Sequence, residues 1–230
     1  MRRLFFITLQ VVVFLGTDAL CQEDIASGTV VIKVYNYAQA PASILAKAED
    51  VASHIFVKVG LQLRWVQCPL VESELPRFPD CSRPQTQPDL ILKVVGEFPS
   101  AFGQPADSMG FSLMTTDQPP LNGFVAYTRV HQRHTEAHIS EELLLGHVLS
   151  HEIGHLLLGS NAHSPTGIMT AHWYGSELHK AERGNLLFAS AQASLMRQHV
   201  LARTQLTQQL AGARVWKVLT QDTFAARDRP

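Results

Sequence analysis

The sequence predicts an α+β domain in which short strands are interleaved with helices. In several short runs, apolar and β-branched residues alternate with polar ones, as they do in half-buried strands. Residues 42–59 carry apolar side chains at helical spacing between the first two such runs. A second and strongly apolar helical stretch, residues 143–159, contains the histidines on which the functional reading depends.

The first half of the chain is expected to supply the sheet. Helix 42–59 starts after Pro41, and the segment 69–88 is predicted to be a Pro-rich loop. Asn122 and Gly123 are predicted to form a turn. Strands are predicted at residues 29–37, 61–67, 89–96, 109–114 and 124–130, with 109–114 at the edge of the sheet.

The second half is expected to be mainly helical. His131, His134 and His138 resemble a second metal cluster in composition, but their spacing shows no clear ligand geometry, so a solvated loop is predicted there. Ser140 can cap the helix that follows. Further on, residues 177–210 are predicted to form a long helix or a helix pair, and residues 215–219 a short extended segment.

The N-terminus has the features of a secretory signal peptide. Arg2 and Arg3 precede the apolar run 4–15, which is too short to span a bilayer comfortably. We therefore expect a signal peptide at 1–21, one domain at 22–220 and a mobile tail at 221–230. The mature protein is expected to be secreted or periplasmic, with no stable membrane insertion after cleavage.

The cysteine content and the charge indicate which cellular compartment and which binding partners to expect. Cys68 precedes the Pro-rich segment and Cys81 lies within it, and in an oxidising compartment they are expected to form a disulfide; a pair of free thiols is the alternative. The formal net charge is −1, with Lys and Arg scattered along the chain. This pattern gives no basis for a nucleic-acid-binding surface, so none is expected.

The second apolar helix contains the pattern His151-Glu152-x-x-His155. On a helix the two histidines lie one turn apart on the same face, so both imidazoles can reach one Zn²⁺ ion. Glu152 then stays free to take a proton from water as a general base. The alternative is a chance match on a packed helix. His147 lies one turn before His151 on the same face of the helix. It is too far from His155 for a straight helix to place His147, His151 and His155 around one ion.

The third ligand is the open question. His163 follows the helix after a short turn and is preferred. A glutamate on a later helix completes the site in thermolysin-like enzymes, the gluzincins, and Glu177 or Glu182 lies at a suitable distance. Those families usually carry an Asp four residues after that Glu, whereas this chain has Ala181 and Leu186 at the corresponding positions.

This stretch resembles the metzincin metallopeptidases, whose pattern is HExxHxxGxxH followed by a methionine-containing turn beneath the metal. Here the glycine comes one residue later than in that pattern and the third histidine two residues later, with Asn161 where that histidine normally falls. The intervening turn is therefore expected to be wider. The resemblance implies three metal ligands, His151, His155 and His163, and a general base, Glu152. It also implies that Gly159 is the turn glycine and that Met169 is the methionine of the Met-turn.

The resemblance also implies a fold and an activity. The fold would be metzincin-like, with a mixed, mostly parallel twisted sheet, an antiparallel edge strand, an N-terminal packing helix, a zinc-binding helix and a C-terminal helix. The activity would be that of a secreted, monomeric zinc-dependent metalloendopeptidase acting on peptide or protein substrates. In some metzincins a tyrosine just after the methionine binds zinc or stabilises the oxyanion. Tyr174 lies further from Met169, so it is expected either to form a wall of the substrate pocket or simply to pack. The alternatives are a secreted zinc-stabilised binding domain without catalysis and a hydrolase of another amide or ester.

Overall fold

The structure is a computed structural model that describes residues 28–83, 89–115 and 119–225, with side chains described as far as residue 211. Within these ranges a five-stranded sheet has the order β2-β1-β3-β5-β4. The strands are β1 (Gly28–Asn36), β2 (Leu61–Gln67), β3 (Leu90–Val95), β4 (Gly110–Leu113) and β5 (Asn122–Ala126).

The sheet is mostly parallel, as predicted. Strand β1 pairs in parallel with β2 and β3, and β3 pairs in parallel with β5. Strand β4 pairs with β5 in the antiparallel direction, with Ser112 opposite Gly123, and forms one edge of the sheet. The predicted α+β fold class with its antiparallel edge strand is therefore confirmed, including the position of 109–114 at the edge.

Helices account for most of the remaining described chain, with 3₁₀ turns at Glu72–Arg77 and Ser100–Phe102. Among the described residues, no helix is long and apolar enough to cross a membrane. The α-helices are α1 (Ala42–Val59), α2 (Pro79–Ser82), α3 (Tyr127–Ala137), α4 (Glu141–Leu158), α5 (Gly175–Glu182) and α6 (Ser190–Ala225).

The core lies between one face of the sheet and helices α1 and α4. Alternate residues of the central strands point into it, because successive side chains of a strand face opposite sides. Val30, Ile32 and Val34 of β1 are buried against apolar residues of both helices, among them Phe56. Fully burying one such side chain contributes about 1.5–3 kcal/mol. This packing fixes α4, the helix that carries the metal-binding pattern, against the sheet.

Helix α6 holds the C-terminal end of α4. The last carbonyls of a helix have no partner within the helix. Here Arg203 Nη2 donates to the Leu156 oxygen at 2.7 Å, and His199 Nδ1 lies 2.8 Å from the Leu157 oxygen. The Arg203 guanidinium also places a positive charge where the helix dipole favours one. The end of α4 that precedes the third histidine is therefore fixed by hydrogen bonds from another helix.

Residues 122–138 differ from the prediction. Asn122 and Gly123 belong to strand β5 and not to a turn, and residues 127–130 begin helix α3 and do not continue the strand. The histidine-rich stretch 131–138, predicted as a loop, completes that helix, which ends at His138 with a φ of 54°. The predicted strand extended to residue 130, but the β3 partner strand ends at Val95, opposite Ala126. Among the described residues no strand pairs with the chain beyond that point, and the chain turns into a helix.

Other predictions for the connecting segments have mixed outcomes. Cys68 and Cys81 form the expected disulfide, with Cα atoms 5.7 Å apart. The described part of the Pro-rich segment is not a plain loop, since it contains a 3₁₀ turn and helix α2. Residues 215–219, predicted as extended, lie within α6. The predicted signal peptide, 1–21, lies outside the described residues; of the predicted tail, 221–225 are the end of α6.

Candidate metal centre

Helix α4 presents His151 and His155 on one face, as the four-residue spacing requires. The helix ends at Gly159, whose φ of 68° lies in the left-handed region that favours glycine. Ser140 occupies the N-cap position as predicted, although its side chain makes no capping hydrogen bond. The Nε2 atoms of the two histidines lie 3.0 Å apart. The helix alone therefore brings two ligand atoms to one point.

Backbone carbonyls determine which nitrogen of each ring carries the proton. His151 Nδ1 lies 2.7 Å from the Ile168 oxygen, and His155 Nδ1 lies 2.7 Å from the Ser160 oxygen. Because a carbonyl oxygen only accepts hydrogen bonds, each Nδ1 is assigned as the donor in the neutral imidazole. Both Nε2 atoms are then lone-pair acceptors that face each other without a proton between them. A cation bound by both Nε2 atoms would stabilise this arrangement. A hydrogen bond between two neutral imidazoles would not, because neither Nε2 carries a proton.

The structure brings His163 to the same place. Its ring centroid lies 5.4 Å from that of His151 and 5.0 Å from that of His155, and one nitrogen from each of the three rings lies within 4.8 Å of the others. The turn between α4 and His163 is held by Ser160 Oγ, which accepts the Ala162 N–H at 3.0 Å. The two extra residues relative to the metzincin pattern are thus accommodated in this turn. Asn161, at the position where the metzincin pattern has its third histidine, lines the cleft.

The electrostatics of the cluster favour neutral imidazoles. Burial, followed by the charge of His155, lowers the pKa of His151 to about 3. The pKa values of His155 and His163 are also lowered, in both cases mainly by burial. Neutral imidazole is the form that binds Zn²⁺, and ligand atoms around a tetrahedral zinc ion are about 3.3 Å apart when the bonds are about 2.0 Å long. The three-histidine donor set therefore fits a zinc ion.

Glu152 lines the same cleft as the three histidines and packs against the edge strand. Its side chain is buried, and Ser112 Oγ lies 2.9 Å from its Oε2 and 3.0 Å from its backbone oxygen. Burial raises the pKa of Glu152 to about 8, while the Ser112 hydrogen bond acts in the opposite direction. The Glu152 carboxylate fits here because residue 110 is a glycine, since a Cβ on residue 110 would lie 2.7 Å from Glu152 Cδ. The carboxylate thus occupies a space that the edge strand leaves for it.

The methionine turn lies beneath the helix. Met169 is fully buried, and a Cβ added at Gly154 would lie 2.7 Å from its sulfur and 2.7 Å from Phe188 Cε1. The turn is held by Ser164 N–H, which donates to the Met169 oxygen at 2.9 Å. The residue before the methionine, Ile168, supplies the carbonyl that orients the His151 ring. Packing of the turn against α4 is therefore linked directly to the position of one histidine.

Other residues considered from the sequence have different environments. Glu177 accepts hydrogen bonds from the Tyr174 backbone N–H at 3.3 Å and from Ser176 Oγ at 2.8 Å, at the start of α5. Neither Glu177 nor Glu182 belongs to a group of potential metal ligands among the described residues. His147 is buried, bonded through Nδ1 to the Leu143 oxygen at 2.8 Å. The exposed Tyr174 lines the cleft.

The histidine cluster opens into a cleft of about 810 Å³. One wall is the loop and edge strand 104–112, and the opposite wall is the segment 170–174. Arg129 and Arg133 of helix α3 also reach the cleft, where Arg133 Nη2 donates to the Trp173 oxygen at 3.3 Å. The site is thus a cleft whose lining includes the three histidines and Glu152.

Several residues of the site were not found from the sequence. Ser112 and Gly110 precede Glu152 by about forty residues, and no local pattern links them to it. The carbonyls of Ile168 and Ser160 carry no side-chain signal at all. Trp173 forms an edge-on contact with the His151 ring, at 5.7 Å between centroids. A signal for the tryptophan was available, since it follows the methionine closely in sequence.

Comparisons with known proteins found likenesses among solved structures alone. No protein-family model matches the chain, and no curated protein matches it. Among solved structures, the chain is similar to the 1.5 Å crystal structure of archaemetzincin from Methanopyrus kandleri. The identity is 15% and the TM-score 0.47, over 75% of this chain and 96% of that chain.

Proposed function

We propose that this protein is a zinc-dependent metalloendopeptidase whose metal is held by His151, His155 and His163. The observation that carries the proposal is the pair of Nε2 atoms, 3.0 Å apart, whose rings both use Nδ1 to bind backbone carbonyls. Three histidines that leave one position open are typical of catalytic zinc sites. When zinc is bound, it supplies Lewis-acid polarisation of the scissile carbonyl and acidifies the attacking water.

Glu152 acts as the general base in this proposal. It takes a proton from the attacking water and delivers it to the leaving amine as the peptide bond breaks. Ser112 holds Oε2, so Oε1 is the oxygen available for proton transfer on the Gly110 side of the cleft. A purely structural zinc site does not need this buried carboxylate next to its ligands. Glu152 therefore favours a hydrolase over a zinc-stabilised binding domain.

The edge strand supports a peptide or protein as the substrate. Strand β4 pairs with β5 on one side, and Gly110, Phe111 and Ser112 of the same strand line the cleft. An extended peptide can add to the free side of such a strand through main-chain hydrogen bonds. This pairing would place the scissile bond over the histidines. A substrate with a smaller amide or ester would use less of the cleft.

Secretion and a monomeric state are part of the same proposal. The disulfide between Cys68 and Cys81 supports an oxidising compartment, because such bonds are rare in reducing ones. The basic and apolar N-terminal residues support export by a signal peptide. The test is N-terminal sequencing of the protein recovered from the medium or periplasm of an expressing cell. A start near residue 22 is expected, and an intact N-terminus would contradict export by cleavage.

Zinc content and casein hydrolysis, measured on the same preparations, test the activity. We expect Glu152→Gln to retain its zinc and to lose hydrolysis, because it keeps the ligands and removes the base. His163→Ala is expected to lose both. Glu177→Gln is the matched control, since Glu177 is bonded at the start of α5, and it should keep both.

Two outcomes would overturn parts of the proposal. Hydrolysis by Glu152→Gln at the wild-type rate would remove the general-base role. Zinc retained by His163→Ala and lost by Glu177→Gln would assign the third ligand to the glutamate. A zinc-loaded wild type that cleaves small esters or amides but no casein would identify the alternative hydrolase.

A further inference from the structure

A second cluster of potential ligands lies where helix α3 ends and helix α4 begins. His131 and His134 lie one turn apart on α3, and Glu141 is the first residue of α4. The chain reverses through His138, Ile139 and Ser140, and this turn brings Glu141 back over the last turns of α3. One ligand atom from each of the three residues lies within 4.8 Å of the others.

The Glu141 carboxylate lies between the two imidazoles. Its Oε1 is 2.9 Å from His131 Nδ1, and its Oε2 is 3.9 Å from His134 Nε2. These separations bracket the distance of about 3.3 Å between ligand atoms of a tetrahedral zinc ion. The side chain of Glu141 is 13% exposed, that of His134 24% and that of His131 60%. The cluster is thus exposed at His131 and partly buried at His134 and Glu141.

Neighbouring groups orient two of the three side chains. His134 Nδ1 lies 3.3 Å from the Ile139 oxygen, so this nitrogen is assigned as the donor and Nε2 is left as an acceptor. The Tyr127 hydroxyl donates a hydrogen bond to Glu141. In metal sites, hydrogen bonds from surrounding groups to the ligand side chains orient those side chains. Thr135 Oγ1 lies 3.2 Å from His134 Nε2, but its hydroxyl can instead donate to the His131 backbone oxygen, also at 3.2 Å. His134 Nε2 then keeps its lone pair for a metal ion.

We propose that His131, His134 and Glu141 form a second metal site, which binds a divalent transition-metal ion such as Zn²⁺ and joins α3 to α4. Two imidazoles and one carboxylate suit Zn²⁺ better than Mg²⁺ or Ca²⁺, which prefer oxygen ligands. Arg129, Gln132 and Arg133 of α3 line the cleft, and α4 carries the histidine cluster at its base. The second metal therefore connects a wall of the cleft to the helix that holds the first site.

Zinc titration of the full chain, followed by calorimetry, tests the second site. We expect two equivalents of zinc for the wild type and one for His131→Ala, with Glu141→Gln behaving like His131→Ala. The matched control is His54→Ala, which removes another exposed histidine outside both clusters and should keep two equivalents. One equivalent in both the wild type and His131→Ala would overturn the proposal and leave the His131–Glu141 contact as an ordinary hydrogen bond.

A second measurement separates this site from the proposed catalytic one. In a chain with His151→Ala and His155→Ala, zinc should still raise the midpoint of thermal unfolding, because binding to the folded state stabilises it. Adding His131→Ala to that chain should abolish the shift. If the shift is absent before His131 is replaced, the second site is disproved, whatever the zinc content of the histidine triad. If the triad binds no zinc in the wild type while the shift persists, only the proposed function fails.

Discussion

Ser112 Oγ lies 2.9 Å from Glu152 Oε2, although the two residues are 40 positions apart in sequence. Ser112 is buried in the edge strand, and its hydroxyl also lies 3.0 Å from the Glu152 backbone oxygen. The strand proposed to bind substrate therefore also holds the proposed general base. Displacement of β4 would alter substrate pairing and the orientation of the carboxylate together.

Ser112→Ala is expected to lower kcat/KM at pH 7 by about tenfold, which corresponds to about 1.4 kcal/mol, near the value of a hydrogen bond to a charged group. The hydroxyl lowers the pKa of Glu152 against the effect of burial. Without it the pKa rises, and because the base must be ionised, the acid limb of the pH profile should move to higher pH. Leu113→Ala, on the same strand but exposed, is the control. A tenfold loss without any movement of the acid limb would contradict the electrostatic role.

Gly110→Ala is expected to reduce kcat by about 100-fold, because misplacing a catalytic group by about 1 Å can have an effect of this size. A Cβ at this position would lie 2.7 Å from Glu152 Cδ and 2.8 Å from Cγ, so the carboxylate must move. Zinc content should stay unchanged, since the ligands are on α4 and the following turn. Gly175→Ala is the matched control, because a Cβ there has no atom within 4 Å. Full activity in Gly110→Ala would show that Glu152 works from another position.

Gly154→Ala is expected to destabilise the protein by about 1–3 kcal/mol, the range for overpacking in a core. The added Cβ would lie 2.7 Å from Met169 Sδ and 2.7 Å from Phe188 Cε1. Zinc binding should weaken as well, since Ile168 beside the methionine orients His151. Urea unfolding and zinc titration measure the two effects. Phe188→Leu should recover part of the stability in the double variant; additive losses would mean that the contact is not the cause.

Glu49→Gln is expected to remove part of the pH dependence of stability. Glu49 is buried on α1, where burial raises its pKa from 4.5 to about 7 against the hydrogen bond from Gln67. The folded state therefore binds the proton more tightly than the unfolded state. The free energy of unfolding should fall as the pH rises from about 4.5 to about 7 and then level off.

The difference in unfolding free energy between wild type and Glu49→Gln should change by about 1–2 kcal/mol between pH 5 and pH 8, after allowance for solvent screening. Urea unfolding at the two pH values measures it. Glu72→Gln, at an exposed position, should run parallel to the wild type. Parallel curves for Glu49→Gln would show that this carboxyl is not perturbed in the folded protein.

Local patterns in the sequence were sufficient for the parts of the protein that depend on backbone periodicity. The helical repeat alone places His151 and His155 on one face. Alternation identifies the strands β1 and β2, and a more continuously apolar run identifies β3, with small errors at their ends. The disulfide also follows from the pairing of Cys68 with Cys81. These features depend on residues close in the chain or on very few candidates, so they could be predicted without knowledge of the packing.

The tertiary structure decided which distant groups meet. Ser112 reaches Glu152 because β4 packs against α4, and the widened turn brings His163 within reach of the other histidines. The same reason explains the wrong prediction for residues 127–138. Residues 127–130 were predicted to continue a strand and residues 131–138 to form a loop. Among the described residues no strand pairs with the chain beyond Ala126, and the chain forms α3, which places His131 beside Glu141. Contacts of this kind depend on how elements pack, which no local periodicity records.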